Sequence, residues 1–281
     1  MDVFISDARI DQLISEDVPY IDLTTHVLGI GEVSARIEFY TREDCTVCAT
    51  EEAARIFERL GASVVVMVPS GQQAQAGDVL LQATGSAATL HKAWKVCLNL
   101  LDHYSAVATK TYGLVKAAKE VNPACEILTT RKSMPGAKDL LTKAVMAGGA
   151  FPHRLGLSET VLVFENHTRL MGGFEAFLEA LPGLRSRCVE KKMFVEADAN
   201  QARALARVGV DGIQFDKIPP DELGGLVAEI RGIDPRCTLI AAGGINAKNV
   251  AAYAATGVDG LVTTAPFSAA PLDMSARILP A

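Results

Sequence analysis

KMFVEADANQARALARVGVDGIQFD, Lys192 to Asp216, decides the fold. A short apolar run of strand length comes first, then an Ala-rich segment at helical spacing. Gly209-Val210-Asp211-Gly212 breaks that helix, and a second apolar run follows. The same phrasing returns downstream, where another Ala-rich segment closes in Gly257-Val258-Asp259-Gly260 before GLVTT (Gly260 to Thr264). Working outward, EILTT (Glu126 to Thr130), TVLVFE (Thr160 to Glu165) and CTLIAAG (Cys237 to Gly243) read as further strands with helices between them. Strict alternation of strand and helix beyond Glu126 predicts a parallel sheet, and its short repeated form favours a barrel over an open sheet. Six or seven units fall short of a complete barrel, so an incomplete or seven-stranded parallel α/β barrel is expected.

The polar residues sit where these strands end: Arg131-Lys132, Glu165-Asn166, Glu196, Asp216, Gly243-Gly244 and Thr263-Thr264, in that order. If the strands close, the ends meet at one mouth, which is where α/β folds bind ligands. The stretch from Thr129 to Arg154 is a cationic island. It holds Arg131, Lys132, Lys138, Lys143, His153 and Arg154 against the single acid Asp139, in a chain of formal net charge -6. Pro135-Gly136 breaks the backbone before the helix-like AKDLLTKAVMA, which Gly148-Gly149 ends. A solvated basic helix face accounts for Lys138 and Lys143. It does not account for Arg131-Lys132 or His153-Arg154, which abut β-like segments and predict an anionic ligand, a phosphate or a carboxylate. A Gly-Gly entering a helix lets a phosphate reach backbone N–H groups. Glu196 and Asp216 are the residue types that position Mg²⁺ beside a phosphate, often through its retained waters. A lone Gly-Gly is most often a tight turn; the weight lies in the joint placement at consecutive strand ends.

The first part of the chain reads differently. An opening helix is expected over Asp7 to Ser15, then an acidic turn into Asp22-Leu23-Thr24-Thr25. EVSARIEFY (Glu32 to Tyr40) alternates like a strand with one wet face. Thr50 is the expected N-cap of TEEAARIFERLG, with Glu51 and Glu52 suited to the positive end of its dipole. ASVVVMV and VLLQA are further strands, the run Val64 to Val68 being read as buried. Ser86 caps a long helical stretch that continues to Glu120, and Asn122-Pro123 ends it. A boundary near the middle of that stretch gives domains 1–108 and 109–265, with the tail 266–281 packing back on the first.

At 281 residues, 49% hydrophobic and 21% charged, the composition is that of a globular protein with a substantial core. The acidic balance argues against nucleic-acid and membrane-surface binding. Acids interrupt the opening MDVFISDARIDQ, no apolar run is long enough to span a bilayer, and the expected compartment is the cytoplasm. Of six cysteines only Cys45 and Cys48 form a C-x-x-C, with no second pair or nearby His to complete a zinc site, so reduced structural thiols are expected. His26, His91 and His103 lack ligand-spaced partners and are read as packing or surface groups, and Trp94 as an interface residue.

Several longer segments stand in an order that resembles the quinolinate phosphoribosyltransferases (nicotinate-nucleotide pyrophosphorylases). They are DLTT at Asp22, LNLLDHYSAVAT (Leu98 to Thr109), TTRKSMPG (Thr129 to Gly136), AGGAFPHRLGL (Ala147 to Leu157), ENH (Glu165 to His167), VEAD (Val195 to Asp198), FD at Phe215-Asp216 and AAGGIN (Ala241 to Asn246). The likeness runs from about Asp22 to Ile278. Pro152 before His153-Arg154, and Phe164 before Glu165-Asn166-His167, look like the ModD branch of molybdenum-transport-associated pyrophosphorylases. The resemblance implies an N-terminal α/β sandwich beside the barrel. It also implies a homodimer or higher homo-oligomer with shared active sites, and transfer of phosphoribose from phosphoribosyl pyrophosphate to a ring nitrogen with release of pyrophosphate. By that resemblance Thr130, Arg131, His153 and Arg154 would hold the acid substrate and the pyrophosphate together with Lys132. Lys132, Glu196 and Asp216 would carry the catalysis, the two carboxylates facing the ribose hydroxyls and Mg²⁺. Gly243, Gly244 and Thr264 would hold the 5′-phosphate.

Departures fall on the acceptor side. Lys95 stands where the family has an arginine contributed across the dimer, and keeps the charge without the bidentate fork. Phe164 stands where the family has a lysine contacting the acid, and Ala242 replaces a serine before the glycine pair. Three readings remain open at this point. One is a phosphoribosyltransferase with an aromatic acceptor that need not be quinolinate, another an ordinary quinolinate phosphoribosyltransferase, and the third a non-catalytic ligand-binding module linked to molybdenum uptake.

Overall fold

The computed structural model describes residues 3–281, in two compact units. The first comprises the residues through Tyr112 with Ser133–Gly149 and Pro266–Ala281; the second comprises Gly113–Lys132 and Ala150–Ala265. The division thus falls inside one long helix, and the segment 133–149, assigned above to the barrel domain, groups with the first unit.

The chain opens with α1 (Asp7–Asp17) and α2 (Leu23–Leu28), followed by β1 (Ser34–Thr41), β2 (Cys45–Thr46), α3 (Thr50–Arg59), β3 (Ser63–Met67), β4 (Gln73–Ala74), β5 (Val79–Ser86) and α4 (Ala87–Val121). Ser6 caps α1 by accepting from Arg9 N at 3.2 Å. The Asp22 turn is a cap as well: its Oδ1 accepts from Thr25 N at 3.2 Å, while its Oδ2 lies 2.7 Å from His91 Nδ1. Ser86 caps α4 through Thr89 N at 3.3 Å. Thr50 does not cap α3. Ala49 takes that position at φ 67, and the Thr50 hydroxyl instead donates to Val68 O at 2.6 Å. β3 corrects a second expectation. Val65 and Val66 are exposed, Val65 by 59%, and Val64 is only half-buried; β3 is an edge strand of its sheet, and an apolar run says nothing about sheet order.

The remaining elements follow in order: β6 (Glu126–Thr129), α5 (Lys138–Ala147), β7 (Phe151–Pro152), β8 (Val161–Val163), α6 (Glu165–Leu170), α7 (Phe174–Ser186), β9 (Met193–Ala197), α8 (Ala199–Val208), β10 (Gly212–Asp216), α9 (Pro220–Ile233), β11 (Thr238–Ala242), α10 (Val250–Ala254), β12 (Gly260–Thr263) and, after a short 3₁₀ turn, β13 (Met274–Pro280). β13 pairs antiparallel with β1, giving the first unit a four-stranded sheet in the order β13-β1-β5-β3. Phe39 of β1 and Phe57 of α3, both fully buried, meet edge to face at 5.9 Å between sheet and helix. Lys143 of α5 is not on a solvated face. It is 7% exposed and its ammonium donates to Glu51 at 2.9 Å and Glu52 at 2.6 Å on α3. All six cysteines are free, five of them buried, and burial pushes Cys48 up to about 12, as suits inert structural thiols.

The second unit holds a seven-stranded parallel sheet in the order β7-β6-β12-β11-β10-β9-β8. The first and last long strands, β6 and β12, are paired, and the break lies between β7 and β8, which no helix connects. The sheet is curled. His153 after β7 and Phe194 on β9, far apart in strand order, meet edge to face at 6.1 Å, and Leu162, Phe194, Ile240, Ala242 and Val262 form one buried cluster. This is the incomplete, seven-stranded α/β barrel expected from the strand rhythm.

The repeated Gly-Val-Asp-Gly has one physical meaning at both places. Asp211 accepts from Met193 N at 2.8 Å and from Arg185 at 2.9 Å; Asp259 accepts from Leu239 N at 2.7 Å and from Arg231 at 2.6 Å. Each aspartate thereby ties the opening of the neighbouring strand to a preceding helix. The closing glycine is forced at Gly212, where a β-carbon would stand 2.2 Å from the Phe194 ring. Among the described residues no helix is long and apolar enough to cross a membrane.

Candidate active site

Every barrel strand delivers at least one side chain or turn from its C-terminal end to a single cavity of about 550 Å³. Around the rim, in sheet order, stand His153 and Arg154 (after β7), Thr130, Arg131 and Lys132 (after β6), Thr263 and Thr264 (β12), Gly243 and Gly244 (after β11), Asp216 (β10), Glu196 (β9) and Phe164 (after β8). Cations occupy one arc, the glycine turn the middle, carboxylates the next arc and an aromatic ring the far edge. The glycine turn is open-backed: Gly243 and Gly244 have φ 95 and 74, a backbone that favours glycine and puts no side chain of its own over the amides.

The electrostatics follow from burial. Burial lifts the Glu196 carboxyl above its ordinary value; a hydrogen bond from Gln214 Nε2 at 2.8 Å opposes this, and the neighbouring Asp216 charge adds to the lift. Burial and the adjacent Arg154 hold His153 below the ordinary imidazole value, so it stands neutral at pH 7 and offers a hydrogen bond rather than a charge. Burial and Arg131 likewise lower Arg154. Replacing Gln214 with Leu removes the largest of the interactions that lower Glu196, leaving the weaker pull of Lys217 and Lys132. The acid limb of the kcat/KM profile is therefore expected at higher pH in Gln214→Leu than in the parent; a limb that stays in place or moves down would count against Glu196 as the group titrating there.

Of the residues given a binding or catalytic role by the family resemblance, Lys95 alone does not line this cavity. It lies on α4 in the first unit, exposed, with its ammonium 5.1 Å from the Trp94 ring centroid. Glu165 turns to an adjoining cavity and pairs with Arg169 at 2.6 Å, and Asn166 lines neither. Asp198 caps α8 by accepting from Asn200 N and Gln201 N, both at 2.9 Å. His167 Nδ1 accepts from Phe164 N at 2.9 Å and so fixes the strand end.

Five lining residues escaped the sequence reading: Gln214, Leu162, Ile245, Val262 and Lys217. Alternation along GIQFD puts Gln214 on the same face as Asp216, a signal that was present. Lys217, a cation directly after a strand-end acid, was equally visible.

A parallel α/β barrel whose mouth sets cations and an open glycine turn beside two carboxylates is the architecture of an enzyme that handles a phosphorylated substrate. The sequence matches make it specific. Residues 22–105 match "Quinolinate phosphoribosyl transferase, N-terminal domain" and residues 107–277 match "Quinolinate phosphoribosyl transferase, C-terminal domain". The chain belongs to the quinolinate phosphoribosyl transferase family, a family of pentosyltransferases. A Rhodobacter capsulatus protein named "Putative pyrophosphorylase ModD" is 42% identical over 248 residues, covering 88% of this chain and 95% of its own. A Methanothermobacter thermautotrophicus protein named "Probable nicotinate-nucleotide pyrophosphorylase", of the carboxylating kind, is 28% identical over 277 residues, covering 96% of this chain and 97% of its own. The solved nicotinate-nucleotide pyrophosphorylase of Francisella tularensis superposes with a TM-score of 0.89 over 99% of this chain and 100% of its own, at 23% identity, a likeness of fold.

Proposed function

We propose that this phosphoribosyltransferase joins the phosphoribosyl group of phosphoribosyl pyrophosphate to a ring nitrogen of an aromatic acceptor other than quinolinate. The acceptor nitrogen supplies the electron pair for the new bond to C1 of the ribose. The C1–O bond breaks with its pair going to pyrophosphate, and no protein nucleophile is needed. Arg131 and Lys132 neutralise the departing pyrophosphate, and Glu196 and Asp216 hold the ribose hydroxyls and the positive charge that develops on the ring. Gly243, Gly244 and Thr264 hold the 5′-phosphate. Alignment of the two reactants within preorganised charge carries most of the acceleration.

Mg²⁺ fits this donor set as a companion of the substrate. Among the described residues no group of three or more His, Cys, Asp or Glu is placed to hold a metal alone. Glu196 and Asp216 are close enough for one charge to raise the other's affinity for protons, and two carboxylates completed by substrate phosphates and water are the usual surroundings of Mg²⁺. Bound there, the ion would offset negative charge on the pyrophosphate. A second copy of the chain would bring Lys95 to the acceptor, making the working unit a homodimer or larger, and the cytoplasm suits a reaction fed by phosphoribosyl pyrophosphate.

Phe164 carries the acceptor reading. Its ring closes the far edge of the cavity and packs against the buried apolar cluster of Leu162, Phe194 and Val262, so that edge offers a surface to an apolar ring and no cation to a second carboxylate. Arg131 and Arg154 keep a place for one acid group, and the relatives named as carboxylating pyrophosphorylases keep the quinolinate reading as the alternative. The test is pyrophosphate release from phosphoribosyl pyrophosphate and Mg²⁺ with quinolinate, nicotinate and benzimidazole-type acceptors in turn. Turnover with an acceptor lacking the second carboxylate, above that with quinolinate, is expected. Phe164→Lys should raise kcat/KM for quinolinate about 10- to 100-fold, the worth of one charged hydrogen bond. A parent enzyme that prefers quinolinate would refute the acceptor reading.

A further inference from the structure

Lys217 follows Asp216 directly and holds φ 58, a left-handed backbone that residues with a long side chain rarely adopt. Its N–H donates to Ala242 O at 2.8 Å, which fixes the residue in that conformation beside the glycine turn. The stem then lies across Gly243: a β-carbon there would stand 2.4 Å from Lys217 Cγ and 2.9 Å from Lys217 N. Glycine at 243 is thus required by the lysine as well as by its own φ. Asparagine or glycine would take the backbone at 217 with less strain, so nothing local accounts for lysine. The ammonium is uncommitted. Its side chain is 77% exposed, and among the described residues its one ion pair, to Asp216 Oδ2, spans 3.5 Å. It stands on the wall shared by the main cavity and the adjoining one, next to the open amides of Gly243 and Gly244.

We infer that Lys217 is a phosphate ligand, its ammonium closing on the sugar phosphoryl group held at the Gly243–Gly244 turn. The inference rests on the phosphoribosyl reading of the site and adds a residue to it. The chemistry is complementary. Backbone N–H groups of a glycine turn give direction but no full charge, whereas a phosphate monoester is close to a dianion at pH 7 and calls for one. Asp216 holds the ammonium loosely near the turn in the absence of the anion, and the left-handed backbone aims the stem over Gly243 rather than away from it. A phosphate ligand so placed would favour substrates with a phosphorylated sugar over the free nucleoside equivalents.

Calorimetric titration separates the two phosphate sources. Ribose 5-phosphate and inorganic pyrophosphate are titrated separately into the parent protein, Lys217→Asn and Lys217→Arg. Ribose 5-phosphate affinity should fall about 10- to 100-fold in Lys217→Asn and stay near the parent's in Lys217→Arg, with pyrophosphate affinity little changed in either. The ligand-free Tm of Lys217→Asn should equal or exceed the parent's, because asparagine accepts the left-handed backbone more readily. A parent protein that binds neither ligand overturns the phosphoribosyl reading and this inference together. A parent that binds ribose 5-phosphate no better than Lys217→Asn does overturns this inference alone, as does a loss confined to pyrophosphate.

Discussion

Lys143→Met is expected to lower the free energy of unfolding by about 3–5 kcal/mol, the cost of leaving buried charge without its partner. The ammonium sits between two carboxylates of α3, accepted by Glu51 at 2.9 Å and by Glu52 at 2.8 and 2.6 Å, and the side chains of Lys143 and Glu52 are only 8% and 4% exposed. Methionine fills most of the volume but leaves Glu52 in the dark without a cation and two like charges in adjacent positions. The pH dependence follows from Glu51. Burial raises its pKa, but hydrogen bonds from the Ser70 hydroxyl and N–H and from Lys143 outweigh burial and hold it down at about 2, against 4.5 for an ordinary glutamate. A carboxylate depressed in the folded state contributes stability above its unfolded pKa and loses it as pH falls through the folded one. The difference between parent and Lys143→Met should therefore be full at pH 7 and shrink between pH 4.5 and 2. Urea denaturation at pH 7 and pH 3 measures it. A loss below about 1 kcal/mol at pH 7 would show that the pair is worth no more than a surface ion pair.

That cluster was written in the sequence but not legible there. TEEAAR and LLTKAV each show charges at helical spacing, and nothing local says that Lys143 points at residues 92 and 91 positions upstream rather than at water. The barrel strands were legible for the opposite reason. Each is an apolar run that changes to polar residues at one end, a pattern fixed by the strand's own two environments. β7 was invisible because two residues, one of them Pro152, carry no period at all; only its parallel pairing with Leu128 and Thr129 makes it a strand. The exposed valines of β3 show the limit of hydropathy: which strand lies at the edge is decided by partners elsewhere in the chain. The candidate site was read nearly whole because a barrel gathers strand ends without long-range detail. Gln214 and Lys217 were visible as residues beside Asp216, but what each does runs through a neighbour's carboxylate or an unusual φ, and neither property belongs to a single residue type.

Lys132→Ala and Glu196→Gln are each expected to lower kcat/KM for pyrophosphate release about 10²- to 10³-fold, the range found when one preorganised charge is removed from a transition state. The two residues stand on different arcs of the rim, Lys132 after β6 and Glu196 on β9, and bond cleavage separates charge in that sense. In the proposed reaction negative charge grows on the departing pyrophosphate beside the lysine, while the ribose carbon turns cationic beside the carboxylate. Each group should therefore be worth more in the transition state than in the bound substrate, so the loss should fall on kcat more than on KM. Glutamine keeps the shape of Glu196 and its contact with Gln214, so the experiment isolates the charge. The double variant should lose less than the product of the single losses, since both act on one charge separation. Calorimetry with ribose 5-phosphate checks that the remaining site is intact. Near-parental kcat in Lys132→Ala, with Glu196→Gln inactive, would mean that the cations at this mouth only bind and that the carboxylate arc alone does the chemistry.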